Sequence, residues 1–108
     1  MNMQEFKSNS QEAADLLKAL SNRYRLMILC ELNAGERSVS ALEAVVPLSQ
    51  SALSQHLAKL REGGLVTTRR EAQTIYYALT DVRAARLIGV LHELFCAPAK
   101  TRTKRKST

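Results

Sequence analysis

Apolar residues recur at helical spacing through the first third of the chain. In residues 9–20, NSQEAADLLKAL, the polar start places Ser10 as the N-cap. A second apolar stretch, residues 23–34, should end at Gly35, because glycine tolerates the left-handed conformation that closes a helix. The spacing therefore predicts two consecutive helices, and the apolar positions of the first are Ala13, Leu16, Leu17 and Leu20.

A third, shorter helix is predicted in the segment SVSALEAVVP. Ser40 and Glu43 have the three-residue separation of a capping box. Pro47 cannot continue a helix and should end this one.

A fourth helix is predicted in LSQSALSQHLAKLREGG. Ser49 is a good N-cap, and Gly63 and Gly64 should end the helix. Its apolar positions repeat every three or four residues, at Leu53, Leu57 and Leu60.

The period of the pattern changes after the fourth helix. LVTTRR and TIYYALT are rich in β-branched and aromatic residues, and the short polar segment EAQ between them predicts a hairpin. A last helix, residues 82–95, should end before Pro98 and is apolar around much of its circumference. Such a helix should pack both on its own core and against another subunit.

Two short helices joined by a tight turn and followed by a two-stranded ribbon form a winged helix-turn-helix. We therefore predict a mainly α fold with a β-hairpin wing, in the order α-α-α-α-β-β-α, that forms a homodimer. Residues 1–8 are expected to be a flexible N-terminus, 9–98 the DNA-binding and dimerisation domain, and 99–108 a basic disordered tail.

Composition bounds the class of protein. A chain of 108 residues forms one domain, and neither a membrane-spanning run nor a signal peptide is evident, so a cytoplasmic protein without a membrane partner is expected. The net charge is +6, but the segment KTRTKRKST holds five of the basic residues. Without it 11 basic and 10 acidic residues remain, a net of +1. The tail could touch phosphates, or it could simply be solvated.

The second helix of a helix-turn-helix pair enters the major groove of DNA. Glutamine can pair with adenine and serine with bases or phosphates, and no acidic residue occurs from position 47 to 61. A basic wing could contact the DNA backbone. A solvated polar face is the alternative, and His56 could equally be structural. The predicted contacts to double-stranded operator DNA are Ser49, Gln50, Ser51, Ser54, Gln55, His56 and Lys59 in the helix and Arg69, Arg70 and Gln73 in the wing.

The segment LSQSALSQHLAKLREGGLVTTRREAQTIYYALT resembles the DNA-binding part of ArsR/SmtB-type winged-helix repressors. LLKALSNRYRLMILCEL also matches the opening helices of that family, and the resemblance spans about residues 12–97. It implies a homodimer joined through the first and last helices, bound to an operator with imperfect two-fold symmetry.

The resemblance also implies metal sites, which can be compared with this chain. The family's Cys-x-Cys pair falls on Ser38 and Ser40, so that thiolate site is missing. Its second site needs Asp and His ligands near the start of the last helix and His and Glu ligands later. Only one ligand position is kept here, so we predict no bound metal and no cofactor; the matching positions are Asp81, Arg83, Leu94 and Ala97. A site made of Cys30, Cys96 and His92 remains an alternative.

Cys30 and Cys96 match the dithiol subgroup of the family, whose members respond to persulfides, sulfide or oxidants. The resemblance implies that these thiols sense a small persulfide or oxidant inducer and that their modification releases DNA. On a helical wheel Cys30 lies at the margin of the buried arc, and Cys96 lies in the last turn, where the helix dipole should raise its pKa. Cys30 is therefore the predicted attacking thiolate and Cys96 the resolving one. The arc itself is formed by Leu26, Ile28, Leu29 and Leu32.

Other interpretations of the two thiols remain. They could fill the core, since free cysteine is among the most buried residues. The protein could be a metal-responsive repressor, or a regulator that activates transcription by displacing another DNA-bound repressor. A small module whose tail binds nucleic acid non-specifically is a further alternative. A thiol-redox enzyme is disfavoured, because there is no Cys-x-x-Cys motif and the thiols lie 66 positions apart.

Overall fold

The computed structural model describes residues 2–96. The predicted stop at Pro98 and the predicted basic tail, residues 99–108, lie outside the described residues. In chain order the elements are α1 (Met3–Leu20), α2 (Arg23–Asn33), β1 (Arg37–Ser38), α3 (Val39–Val45), α4 (Gln50–Glu62), β2 (Val66–Glu71), β3 (Thr74–Leu79) and α5 (Val82–Cys96).

The first helix begins earlier than its apolar pattern predicted. The side-chain oxygen of Asn2 accepts hydrogen bonds from the backbone N–H groups of Gln4 and Glu5, at 2.9 and 3.3 Å, and so caps α1. Ser10 is therefore not the N-cap; its hydroxyl donates to the carbonyl of Lys7 inside the helix. Residues 3–8, assigned from the sequence to a flexible N-terminus, belong to α1.

The N-cap of α3 also differs from the prediction. The Ser38 hydroxyl accepts a hydrogen bond from the N–H of Ala41 at 3.1 Å, and α3 starts at Val39. The predicted capping box between Ser40 and Glu43 is therefore wrong. Ser38 also belongs to β1 and lies opposite Tyr76 of β3, so strand pairing positions the cap.

The predicted bounds of α4 are confirmed. The Ser49 hydroxyl accepts from the N–H of Ala52 at 3.1 Å. At the other end Gly64 has φ +75°, and the N–H of Leu65 donates to the carbonyl of Leu60. This left-handed residue and its hydrogen bond close the helix in the manner of a Schellman motif.

The hairpin is confirmed, and its sheet has one more strand than predicted. The strands lie antiparallel in the order β1-β3-β2. Glu71 pairs with Thr74, which leaves Ala72 and Gln73 as the turn. We call the β2–β3 hairpin the wing. The winged helix-turn-helix architecture predicted from the sequence is thus confirmed.

One apolar core joins the helices to the base of the wing. Leu53, Leu57 and Leu60 anchor α4 in it, as their spacing predicted. Within residues 2–96 no polar or charged residue is fully buried, and no helix is long and apolar enough to cross a membrane. The core consists of Leu20, Ile28, Leu29, Leu32, Leu42, Val46, Leu53, Leu57, Leu60, Leu65, Val66, Ala84 and Ile88.

Candidate DNA interface and dithiol site

The face of α4 opposite the core is polar. A helix turns about 100° per residue, so Ser51 and Gln55 point away from the side that carries the buried leucines. Apart from His56, all the α4 candidates predicted to contact DNA are exposed, and so is the N-cap Ser49. The face is therefore free to meet a groove of DNA, and its exposed members are Gln50, Ser51, Ser54, Gln55 and Lys59.

His56 lies instead at the contact between α4 and α2. It is half-buried, its Nδ1 lies 3.4 Å from Nη1 of Arg25, and its ring centroid is 6.1 Å from that of Tyr24. Burial lowers the pKa of His56, and the positive charges of Arg25 and Lys59 lower it further. A neutral, half-buried imidazole is poorly suited to a phosphate, so this placement favours the structural role.

Arg25 is a residue whose role the sequence pattern did not indicate. Its Nε donates to the carbonyl of Ala19 at 2.6 Å and its Nη2 to that of Lys18 at 3.3 Å. It thereby satisfies carbonyl groups at the end of α1, where a cation is also favoured by the helix dipole. Arg25 thus connects α1, α2 and α4.

The two arginines of the wing have different surroundings. Arg69 forms a bidentate ion pair with Glu36, with Nε–Oε2 and Nη2–Oε1 distances of 2.8 and 2.9 Å. It also lies 3.4 Å from the Glu71 carboxylate and stacks over the ring of Tyr76. Arg70 is exposed and has no ion pair within the part of the chain that the structure describes.

The positive charge of Arg69 is therefore already paired with carboxylates in the absence of DNA. The hydrogen bond from Arg69 is the main reason why the pKa of Glu36 is lowered, so Glu36 is ionised at neutral pH. Glu36 was not a sequence candidate, because it lies in the loop after α2, 33 positions before Arg69. Of the wing candidates, Arg70 and Gln73 are exposed without such a restraint.

The Glu36→Gln variant is expected to bind DNA of any sequence more tightly than the wild type. Removing this carboxylate frees Arg69 for a phosphate and removes a negative charge beside the wing. One more phosphate contact should steepen the slope of log affinity against log salt by about 0.9. Titration of a random-sequence duplex at several salt concentrations measures both effects.

Glu5→Gln is the matched control, because it makes the same change in net charge in the first turn of α1. It should leave affinity and salt slope close to those of the wild type. Weaker DNA binding by Glu36→Gln would mean that the ion pair holds the wing in its binding position, and would contradict the prediction.

Cys30 and Cys96 both line one cavity between α2 and α5. Both are free thiols; Cys30 is half-buried and Cys96 is exposed. The predicted position of Cys30 at the margin of the buried face is confirmed. The cavity, which we call the dithiol cavity, has a volume of about 290 Å³. It is lined by Leu26, Met27, Cys30, Ile88, Leu91, His92, Phe95 and Cys96.

The surroundings of Cys30 disfavour its thiolate. Burial raises the pKa of Cys30, and the negative charges of Cys96 and Glu31 raise it further. Because the thiolate is the reactive form of cysteine, this raised pKa disfavours Cys30 as the attacking thiolate. Cys96 is the more exposed of the two thiols.

Positions that match the family's metal ligands serve other purposes in this fold. The Asp81 carboxylate accepts hydrogen bonds from the N–H groups of Arg83 and Ala84, at 2.8 and 3.1 Å, and so caps α5. Arg83 pairs with Asp81 and with Glu12 of α1. Among the described residues no three His, Cys, Asp or Glu side chains are placed to hold a metal ion.

Five further positions that were considered for a metal complete this account. Cys30, His92 and Cys96 line one cavity but do not form such a group. Ser38 caps α3, and Ala97 lies outside residues 2–96.

The fold and the exposed polar face of α4 define a winged helix-turn-helix regulator, and comparison with known proteins identifies its family. A model described as "Bacterial regulatory protein, arsR family" matches residues 22–68. The transcriptional activator HlyU of Vibrio cholerae is 53% identical over 89% of this chain and 89% of its own length. The biofilm growth-associated repressor of Xylella fastidiosa is 44% identical over 93% of this chain and 88% of its own. The chain belongs to the ArsR family and is a transcriptional regulator, not an enzyme.

Solved structures of relatives agree with this assignment. Reduced HlyU from Vibrio cholerae matches with a TM-score of 0.82, covering 86% of this chain and 98% of its own at 53% identity. The repressor BigR from Xylella fastidiosa has a TM-score of 0.84, covering 91% and 100% at 44% identity. The homodimeric winged helix-turn-helix domain of Mb0332 from Mycobacterium bovis has a TM-score of 0.70, covering 82% and 83% at 34% identity. The resemblance to ArsR-type repressors inferred from the sequence is confirmed at the level of the family.

Proposed function

We propose that the protein is a homodimeric repressor that binds operator DNA while Cys30 and Cys96 are reduced. Reaction of the two thiols with a persulfide or an oxidant then releases the DNA. The observation that carries this proposal is that both free thiols line the dithiol cavity. Since α5 holds one thiol and α2 the other, a covalent bridge between them would tie the two helices together.

Apolar side chains exposed on α1 and α5 support the homodimer. Leu17 of α1 is 57% exposed and Val90 of α5 is 51% exposed, and such residues are usually covered in a complex. The homodimeric Mb0332 domain is a relative with the same fold. Two copies joined in this way would present two α4 helices to half-sites about one turn of DNA apart. Four other exposed apolar residues on these helices lie outside the dithiol cavity: Met3, Phe6, Val82 and Leu94.

Two routes connect the thiols to the DNA interface. A bridge would shift α5 against α2 and so change the dimer interface that sets the spacing of the α4 helices. The loop after α2 also holds the wing, because Glu31 lies 3.5 Å from Arg37 and Glu36 is paired with Arg69. Movement of α2 would therefore change both the spacing of the two α4 helices in the homodimer and the position of the wing.

The energy that the signal must supply is modest. Converting a mostly bound operator to a mostly free one takes a few kcal/mol, and about 5.5 kcal/mol moves a two-state ratio from 1:99 to 99:1. Each bidentate base contact is worth about 1–3 kcal/mol. Misplacing one or two such contacts on α4 in each subunit would suffice.

Complete reaction with an organic persulfide is expected to weaken operator binding at least about 100-fold, in line with a change of a few kcal/mol. The measurement is the Kd for an operator duplex, with the intact mass of each sample recorded. The comparison covers reduced protein and protein treated separately with persulfide, peroxide and zinc. Reduction of the treated protein should restore binding.

Cys30→Ser and Cys96→Ser are the matched variants. Each should bind the operator like the reduced wild type and should keep that affinity after persulfide treatment. Release by zinc alone, or normal release of Cys30→Ser by persulfide, would contradict the dithiol proposal.

A second candidate function is activation by displacement of another DNA-bound repressor. It is favoured by the 53% identity to a protein named a transcriptional activator, HlyU. Deleting the gene distinguishes the two. Expression of the target should rise if the protein represses, and should fall if it displaces a resident repressor from overlapping sites.

A further inference from the structure

The dithiol cavity is apolar apart from its two thiols and one imidazole. Ile88 is 2% exposed and lies at the base, and Leu91 is half-buried. Phe95 and Cys96 are exposed and lie at the opening. Among the described residues, no Lys, Arg, Asp or Glu side chain lines the cavity.

Among residues 2–96, the electrostatic surroundings of the cavity are unfavourable to an anion. Burial raises the pKa of Cys30, and the negative charges of Cys96 and Glu31 raise it further. Arg37 lies 3.5 Å from Glu31 and so is already paired. A carboxylate-bearing reagent would find no cation in this lining and would lose hydration on entry, which is costly.

We propose that the dithiol cavity binds the apolar substituent of an organic persulfide, so that alkyl persulfides react in preference to charged peptide persulfides such as that of glutathione. This inference rests on the thiol-sensing function proposed above and adds the class of reagent. An apolar substituent gains free energy in proportion to the area that it buries. The cavity of about 290 Å³ leaves room for a short alkyl chain between α2 and α5.

The chemistry that follows is a transfer of one sulfur atom. With the alkyl group of R–S–S–H in the cavity, the Cys96 thiolate attacks the outer sulfur. The new Cys96 Sγ–S bond forms, the S–S bond of the persulfide breaks, and the alkyl thiolate leaves with the electron pair and takes a proton from water. Cys96 is then itself a persulfide, with its hydrogen on the transferred sulfur.

Cys30 completes the reaction. Its thiolate attacks Sγ of Cys96, a disulfide forms, and hydrosulfide leaves and gains the proton that Cys30 released. In total two thiols and R–S–S–H give one disulfide, R–S–H and hydrogen sulfide, so the persulfide is the oxidant. A half-buried Cys30 suits this second role, because its target is delivered within the same cavity.

The test is the dependence of rate on the length of the alkyl chain. Ethyl, butyl and hexyl persulfide and glutathione persulfide are reacted with the reduced full-length protein at one pH, and modification is followed by intact mass. The rate constant should rise about two- to fourfold per methylene until the cavity is filled. Glutathione persulfide should be slowest. When the same alkyl persulfides react with the free thiol N-acetylcysteine instead of the protein, the rate constant should not depend on chain length.

Two variants locate the effect in the cavity. Met27→Gln and Phe95→Gln place polar groups on its lining and should flatten the dependence on chain length. Val45→Gln is the control, because Val45 is 50% exposed on α3 and lies outside the cavity. This variant should keep the wild-type dependence.

The outcomes separate this inference from the function on which it rests. Equal rates for all persulfides, with operator release, would overturn the selectivity alone. A dependence on chain length that persists in both cavity variants would also overturn it. Absence of any thiol modification would overturn the selectivity and the sensing function together.

Discussion

Leu60→Ala is expected to lower the free energy of unfolding by about 2–5 kcal/mol. Leu60 is fully buried, at 0% exposure, and its side chain anchors α4 in the core. Truncation removes the burial of its methyl groups and leaves a cavity that the surrounding helices fill only in part. Urea unfolding at one protein concentration measures the loss, since the stability of a dimer depends on concentration.

Gln55→Ala is the control in the same helix. Gln55 is exposed, so its truncation should change the free energy of unfolding by no more than about 0.5 kcal/mol. A loss below about 1 kcal/mol in Leu60→Ala would show that the core refills the space. The buried leucines would then not be what holds α4 in place.

The spacing of apolar residues in the sequence predicted the helices that pack one face in the core. Leu53, Leu57 and Leu60 are buried as predicted, because only one face of α4 can meet the core. The start of α1 was missed because residues 3–8 hold only two apolar side chains, Met3 and Phe6, which are too few to mark a continuous apolar stripe. Their helical form depends on the cap supplied by Asn2.

The missed cap of α3 has a different cause. Ser38 and Ser40 lie two positions apart, and each has the side chain of a good N-cap. The choice between them depends on β1, which pairs Ser38 with Tyr76 of β3. A strand of two residues has no period of its own, so its pairing could not be predicted from the local sequence.

The candidate site divides in the same way between local and distant contacts. The position of Cys30 at the margin of the buried face of α2 follows from helical geometry and was predicted. The ion pair between Glu36 and Arg69 joins positions 33 apart, and the contact between Arg25 and His56 joins positions 31 apart. Such contacts arise only when the elements pack, and they change the role expected of Arg69 and His56.

Gln55→Ala is expected to weaken operator binding by about 1–3 kcal/mol, or roughly 5- to 140-fold in Kd. Gln55 lies on α4 opposite the buried leucines, and a glutamine amide can form paired hydrogen bonds with the N6 and N7 positions of adenine. Truncation removes both bonds without touching the core. Affinity is measured for the tightest duplex selected from a random library and for a random-sequence duplex, at one salt concentration.

The loss in Gln55→Ala should be confined to the selected duplex, because base contacts confer specificity whereas phosphate contacts mainly contribute affinity. Lys59→Ala provides the contrast. Lys59 is exposed one turn further along α4, and its loss should weaken both duplexes alike and reduce the salt slope by about 1. If Gln55→Ala binds both duplexes like the wild type, while truncation after Pro98 abolishes binding, the basic tail rather than α4 carries the interaction with DNA.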